Sequence, residues 1–368
     1  MGARITYGIV MRVFVFLVVV LSTISLRADV EPQMDNLKHD YNHVGKPVAP
    51  FTPCAGPLVR RGMDINLSAE FLYWSTRLDT LTYAKTGFRD TVNDVSPNKG
   101  EVQMVDWSWD PGFKVGLGWS FDHGCWDMRL VYTWFYTNVG DRKRSNSMVP
   151  GFAIIEPSIV SSGAARFVDA HAHFDLHYQV SDLELGRNYY VSRTLKLRPF
   201  VGMKGTWQKQ DYATFFNSSS VSGSTSNYKA RFDHSLWGLG MRAGLKTSWQ
   251  FSRHFSLYGD FALTGMWLHY DINRKDTSTD YLNGEQAGAK RTMLNIQGRL
   301  RIVKPVLEWA IGLRAESYFS CQRCHVLLQA GWESHIWANQ TLYISADNYF
   351  DRFDLSLQGL AAQLRLSF

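Results

Sequence analysis

From Met63 onward the chain alternates apolar and polar residues over runs much longer than an ordinary strand. Phe113, Val115, Leu117, Trp119 and Phe121 alternate with Lys114, Gly116, Gly118, Ser120 and Asp122. Trp237, Leu239, Met241, Ala243, Leu245, Thr247, Trp249 and Phe251 alternate with Gly238, Gly240, Arg242, Gly244, Lys246, Ser248 and Gln250. Successive side chains of a strand point to opposite faces, so each run has one apolar face and one of glycine and charge. Strands of a soluble sandwich average about 5–6 residues. These runs instead match the roughly 9–11 residues that a tilted strand needs to cross a bilayer. In lipid, every backbone polar group must be paired within the protein, which for strands requires a closed ring. The pattern therefore predicts an all-β fold, a transmembrane antiparallel up-and-down β-barrel.

Ten crossings are predicted, near 63–84, 112–122, 124–137, 168–191, 196–216, 230–251, 255–272, 299–319, 323–338 and 355–368. Twelve or more would follow if 291–304 adds a strand or 85–111 hides a hairpin. Short turns near 122–124, 192–196, 252–254 and 320–324 face the periplasm, and long polar loops near 85–111, 138–167, 217–229, 273–290 and 339–354 face outward. The loops 138–167 and 217–229 are the expected points of contact with a host surface. The chain has 13 Trp, 17 Tyr, 22 Phe and 29 Gly at a mean hydropathy of only −0.21. That combination suits strands with one face in lipid and one in water. Tyr73, Trp74, Trp107, Trp109, Tyr132, Trp134, Tyr136, Tyr189, Tyr190, Trp249, Trp267 and Trp337 gather near predicted strand ends, as interfacial girdles would.

Residues 1–28 read as an export signal: Arg4 and Arg12 precede the apolar run Val13–Val20, and Ala28 is a small residue at a plausible cleavage point. Residues 29–62, broken by Pro32, Pro47, Pro50, Pro53 and Pro57, are expected to be a periplasmic segment, with the barrel over 63–368. Loss of Arg4, Arg12 and Arg27 lowers the formal charge from +6, and the longest basic run is only Arg142-Lys143-Arg144. Nucleic acid is not an expected partner.

Four cysteines, Cys54, Cys125, Cys321 and Cys324, all fall on the periplasmic side of this topology. An oxidising compartment makes them disulfide candidates, within the chain or to other envelope proteins. Four thiols allow three pairings, which sequence does not resolve. Cys321-Gln322-Arg323-Cys324-His325 also has the spacing of a c-type haem site, but a short turn between long strands leaves little room to enclose haem. His171, His173, Asp175 and His177 share one strand face. Neighbours on that face are about 6–7 Å apart and converge poorly on one ion, so a polar lumen face is expected rather than a metal site. With neither a G-x-S-x-G elbow nor H-E-x-x-H present, no enzyme activity, cofactor or metal is expected.

The inward faces carry Lys114, Arg198, Lys204, Arg242, Lys246, Glu308, Arg314 and Glu316, the predicted pore-lining set. Arg198, Lys204, Arg242 and Lys246 form a basic wall opposite Glu308 and Glu316, an arrangement that would tune ion selectivity. Ten strands imply a narrow lumen, since about eight are just filled by side chains and about sixteen leave a channel. Inner glycines, including Gly116, Gly202, Gly240 and Gly244, leave room for open space or for a plug.

The chain ends Leu364-Arg365-Leu366-Ser367-Phe368, with Leu364, Leu366 and Phe368 on one face. This looks like the terminal strand that barrel-assembly machinery recognises. Further segments are Ala69-Glu70-Phe71-Leu72-Tyr73-Trp74, Trp109-Asp110-Pro111-Gly112-Phe113, Lys304-Pro305-Val306-Leu307-Glu308, Gln329-Ala330-Gly331-Trp332-Glu333 and Asp354-Leu355-Ser356-Leu357-Gln358. In their order and spacing they resemble the major-outer-membrane-protein-like family of chlamydia-related and legionella-type bacteria. The resemblance implies an outer-membrane barrel with porin activity for small hydrophilic solutes, disulfide-linked envelope partners and no catalytic residues. The alternative is a non-conducting structural barrel or surface adhesin. Outer-membrane lipid is the surrounding partner, and a homo-trimer is an arrangement the sequence leaves open.

Overall fold

The computed structural model describes residues 64–79, 81–86, 100–121, 126–152, 154, 166–219, 224–319, 324–346 and 350–368. The expected signal 1–28, the segment 29–62, Cys54, Cys125 and Cys321 lie outside them.

Ten long strands follow one another: β1 (Ile65–Leu78), β2 (Trp109–Ser120), β3 (Trp126–Pro150), β4 (Arg166–Arg187), β5 (Leu195–Ser219), β6 (Ser224–Gln250), β7 (Phe255–Leu282), β8 (Arg291–Phe319), β9 (Cys324–Ile344) and β10 (Phe350–Ser367). Each pairs antiparallel with the next. The ring closes where β1 pairs with β10, from Asn66↔Ser367 to Leu78↔Leu355. At the seam Ile65 N–H donates to Phe368 O over 3.2 Å, and Phe368 N–H returns a bond to Ile65 O over 3.0 Å. No orphan sheet edge faces lipid at the closure, as the expected barrel requires. The stretch 291–304 belongs to β8 rather than adding a strand; among the described residues of 85–111, Val102–Met104 pairs with Thr82–Thr86, which also pairs with the end of β3, and Trp109–Pro111 begins β2.

The barrel has two zones with opposite polarity. In the half near the termini the outward face is apolar: Leu117, Trp119, Leu239, Met241, Trp249, Leu263, Ile311 and Leu364 are all exposed. The inward face there holds charge. Above an upper girdle that includes Trp207, Trp237 and Trp267, the pattern inverts. On β6 the outward row continues as Ser235, Asp233, Arg231 and Lys229, while Phe232, Ala230 and Tyr228 are buried inside. Lipid selects the first arrangement and water the second.

This inversion overturns three expectations. The polar stretches 138–150, 224–229 and 273–282 are strand rather than loop, because beyond the bilayer the sheet continues as a water-exposed stem. β8 has 29 residues, about 96 Å of chain at roughly 3.3 Å per residue. His171, His173 and His177 face outward on that stem, while Phe174, Leu176, Tyr178 and Val180 are buried inside. Trp74 and Trp337 likewise point inward and are fully buried, not girdle residues.

Candidate functional site in the barrel lumen

In the membrane half, the inward charges of neighbouring and opposite strands meet. Lys114 Nζ lies 3.1 Å from Glu70 and 2.6 Å from Glu333. Lys204 Nζ lies 2.7 Å from both Asp182 and Glu308. Arg242 reaches Asp182 at 2.6 Å, Glu308 at 2.8 Å and Glu184 at 3.6 Å, while Lys246 reaches Glu184 at 2.8 Å. Arg198 bonds Asp127 through Nε at 2.8 Å and Glu184 through Nη1 at 3.0 Å. Toward the periplasmic end, Glu316 sits 3.8 Å from Lys196 and 3.9 Å from Arg314. Ions taken from water lose several kcal/mol of solvation each, and this density of opposite charge offsets the loss.

All eight residues predicted to line a pore thus point into the lumen. They do not form two walls across a gap: Lys204 and Arg242 of the basic wall touch Glu308 of the acidic one. The space left among the charges is a cavity of about 120 Å³. The inner glycines make room for neighbours rather than for water. A Cβ on Gly244 would come within 2.6 Å of the Phe200 ring, and one on Gly240 within 2.5 Å of the Met266 sulfur.

Above the charges lies an aromatic layer. Trp74 packs on Phe135 at 5.5 Å and on Tyr178 at 6.4 Å between ring centroids, and Tyr178 packs on Trp337 at 6.0 Å. Lys114 Nζ sits 5.1 Å from the centroid of Trp74, joining the two layers.

Higher still, the β9–β10 hairpin folds into the barrel mouth. The β8–β9 ladder stops at Val306↔Trp337, and Asn339 turns the chain with a φ of 50°. Left-handed backbone is tolerated by Asn better than by most side chains. The next residues, Gln340, Thr341, Leu342, Tyr343 and Ile344, are buried and cross to strands that are not their sheet neighbours. Gln340 donates to Gln208 at 2.6 Å, Thr341 to Gln210 at 3.0 Å, and Arg274 Nη1 to the Ile344 carbonyl at 2.8 Å. Tyr343 packs on Phe232 and Tyr212, with centroids 5.0 and 5.6 Å away. Under it His234 is fully buried, and neither ring nitrogen has a hydrogen-bond partner among the described residues. Desolvation pushes its pKa down to about 3.

The remaining predicted sites are scattered. Leu364 and Leu366 face outward on β10, and Phe368 makes the seam bonds. Cys324 opens β9, half-buried, and no pairing is assigned because its candidate partners lie outside the described residues. On the stem, His171 stacks on Phe215 at 4.2 Å and His173 Nε2 lies 3.0 Å from Asp175. Sequence reasoning missed the aromatic layer and the inturned hairpin. The available signal was the phase reversal at Leu236-Trp237, where apolar side chains switch from even to odd positions.

The family described as the Legionella pneumophila major outer membrane protein precursor matches residues 57–368. No curated protein matches the chain. Among solved structures, the outer membrane protease OmpT from Escherichia coli is 12% identical, with 83% of this chain and 96% of that chain covered, at a TM-score of 0.33. A FadL homologue from Pseudomonas aeruginosa is 9% identical, with 83% and 89% covered, at 0.23. The monoaromatic hydrocarbon channel CymD is 9% identical over the same shares, at 0.29. Likenesses this slight carry no argument about function.

Proposed function

We propose that the chain, which belongs to the family of the Legionella pneumophila major outer membrane protein, is a structural outer-membrane barrel that is closed at rest and holds its surface segments on a rigid stem. Its place is the bacterial outer membrane. The observation that carries the reading is the hairpin centred on Tyr343, which lies across the lumen above the aromatic and charged layers. Three fillings stand in series along the lumen: the hairpin, the aromatic layer and the charged layer, with a cavity of about 120 Å³ among the charges. Cross-links from Cys54, Cys125, Cys321 and Cys324 to other envelope proteins are part of this proposal, as is assembly through the Leu364, Leu366 and Phe368 face. Catalysis is not.

A second reading, a porin for small hydrophilic solutes or ions, is supported by the charge-lined cavity around Lys114, Arg242, Lys246 and Arg314. Conduction would then require withdrawal of the hairpin. Planar-bilayer recording of the purified, folded protein separates the two. Silence is the expected result, with circular dichroism confirming β-structure. Stepwise currents from the unmodified protein would overturn the closed reading and install the porin.

A further inference from the structure

Just above the apolar band, β6, β7 and β8 present a corner of aromatic and basic side chains on the outside of the barrel. Trp267 and Val303 are paired in register at the top of the continuous apolar band on β7 and β8. The next outward pairs are His269↔Arg301 and Asp271↔Arg299. On the other side His269 pairs with Trp237, whose ring lies 5.7 Å from the imidazole and 6.0 Å from Trp267. Arg299 and Arg301 are exposed. Arg299 Nε bonds Asp271 at 3.0 Å, so one guanidinium is partly compensated. The hydrogen-bond partner of Arg301 among the described residues is the ring of His269, at 3.4 Å, which leaves its charge uncompensated. Lys275, also outward and exposed, stands one rung above Asn273 on the same face of β7. The β8–β9 ladder begins only at Val306, so among the described residues no strand pairs along that edge of β8 beside the two arginines.

We propose that this corner binds the phosphate of an outer-leaflet phosphorylated glycolipid. The protein sits in the outer membrane, and residues directly above an apolar band contact lipid headgroups. A guanidinium meets a phosphate with two parallel N–H donors, which an ammonium does not. Two arginines on alternate residues of one strand stand about 6–7 Å apart, close enough to hold one phosphate between them or two on one headgroup. The tryptophans below place aromatic rings where sugar meets acyl chain, the depth at which indole is favoured. A zwitterionic phospholipid offers one phosphodiester already balanced by its own ammonium, whereas a phosphorylated glycolipid offers phosphate with net negative charge.

The test uses the full folded chain in phosphatidylcholine nanodiscs, with native mass spectrometry reading lipid adducts. Diphosphorylated lipid A is the probe, and phosphate-free lipid A and inorganic phosphate are the comparison arms. The wild-type protein is expected to retain the diphosphorylated lipid and neither comparison compound. The double variant R299Q/R301Q is expected to retain it at least about tenfold more weakly, since each charge-assisted contact is worth about one decade or more. K209Q, elsewhere on the stem, should retain it as the wild type does. Equal retention by R299Q/R301Q, with unchanged circular dichroism, would overturn the site. Equal binding of phosphate-free lipid A, or displacement by inorganic phosphate, would overturn the glycolipid assignment.

Discussion

Lys204 on β5 places its ammonium 2.7 Å from Glu308 on β8, although β6 and β7 lie between them around the wall. The pair is therefore a strut across the lumen, and both side chains are almost fully buried. Lys204→Met should cost about 3–5 kcal/mol, because Glu308 and Asp182 lose a cation they both contact. Urea unfolding in micelles should also show K204M/E308Q costing less than the sum of its two single changes. Additive losses would mean that the two residues do not act on each other.

The inturned hairpin is the gate in the closed reading. Asn339 N–H bonds the Asp354 carboxylate at 2.5 Å, so the hairpin starts and ends at a fixed point. Replacing residues 340–352 with an Asn-Gly turn should leave the seam β1–β10 intact and produce ion current in a planar bilayer. Continued silence would show that the aromatic and charged layers seal the lumen without it.

One face of β6 should respond to charge unequally along its length. Met241, in the apolar band, is 70% exposed, and Met241→Arg should destabilise the folded barrel in lipid by about 2–4 kcal/mol. Ser235→Arg, on the same face but on the stem, should change stability by less than about 0.5 kcal/mol. Equal effects at the two sites would contradict the position of the upper girdle.

Stability should fall with acid through His234, which lies on the stem side of Trp237. Its pKa is about 3 in the folded protein, below the ordinary value of 6.5. In that window the unfolded chain binds a proton that the folded one does not. The contribution is thus complete above pH 6.5 and declines as pH falls toward 3, at about 1.4 kcal/mol per unit. The neighbouring rings are Tyr270 at 5.3 Å and Tyr343 at 6.5 Å, and neither carries charge in this range. His234→Phe should flatten the dependence between pH 6 and pH 4 in chemical unfolding. An unchanged slope would place the acid sensitivity elsewhere.

The membrane half was legible in the sequence because lipid imposes one rule on every strand. Runs such as Trp237–Phe251 must alternate, and their ends sit at the girdles. All eight charged residues assigned to the lumen do point inward, for the same reason. The stem was less legible. There the outward row is polar, so 224–229 and 273–282 read as loop although their backbone is sheet. The inward turn of 339–344 depends on contacts with Gln208, Gln210 and Arg274, distant in sequence and dictated by no local spacing. The apolar run Leu342-Tyr343-Ile344 was a local hint of the inward turn itself.

The seam between β1 and β10 also fixes an order of events. Every other ladder between the ten long strands joins consecutive ones and can form as a hairpin, whereas Asn66 must find Ser367 across almost the whole chain. Loop-closure entropy makes such a contact slow, so ring closure comes late. Until then β1 and the strand ending in Phe368 are both open edges, able to pair with another β-strand. The barrel is most vulnerable to wrong pairing, and most open to a helper that supplies a temporary strand, just before its last ladder zips.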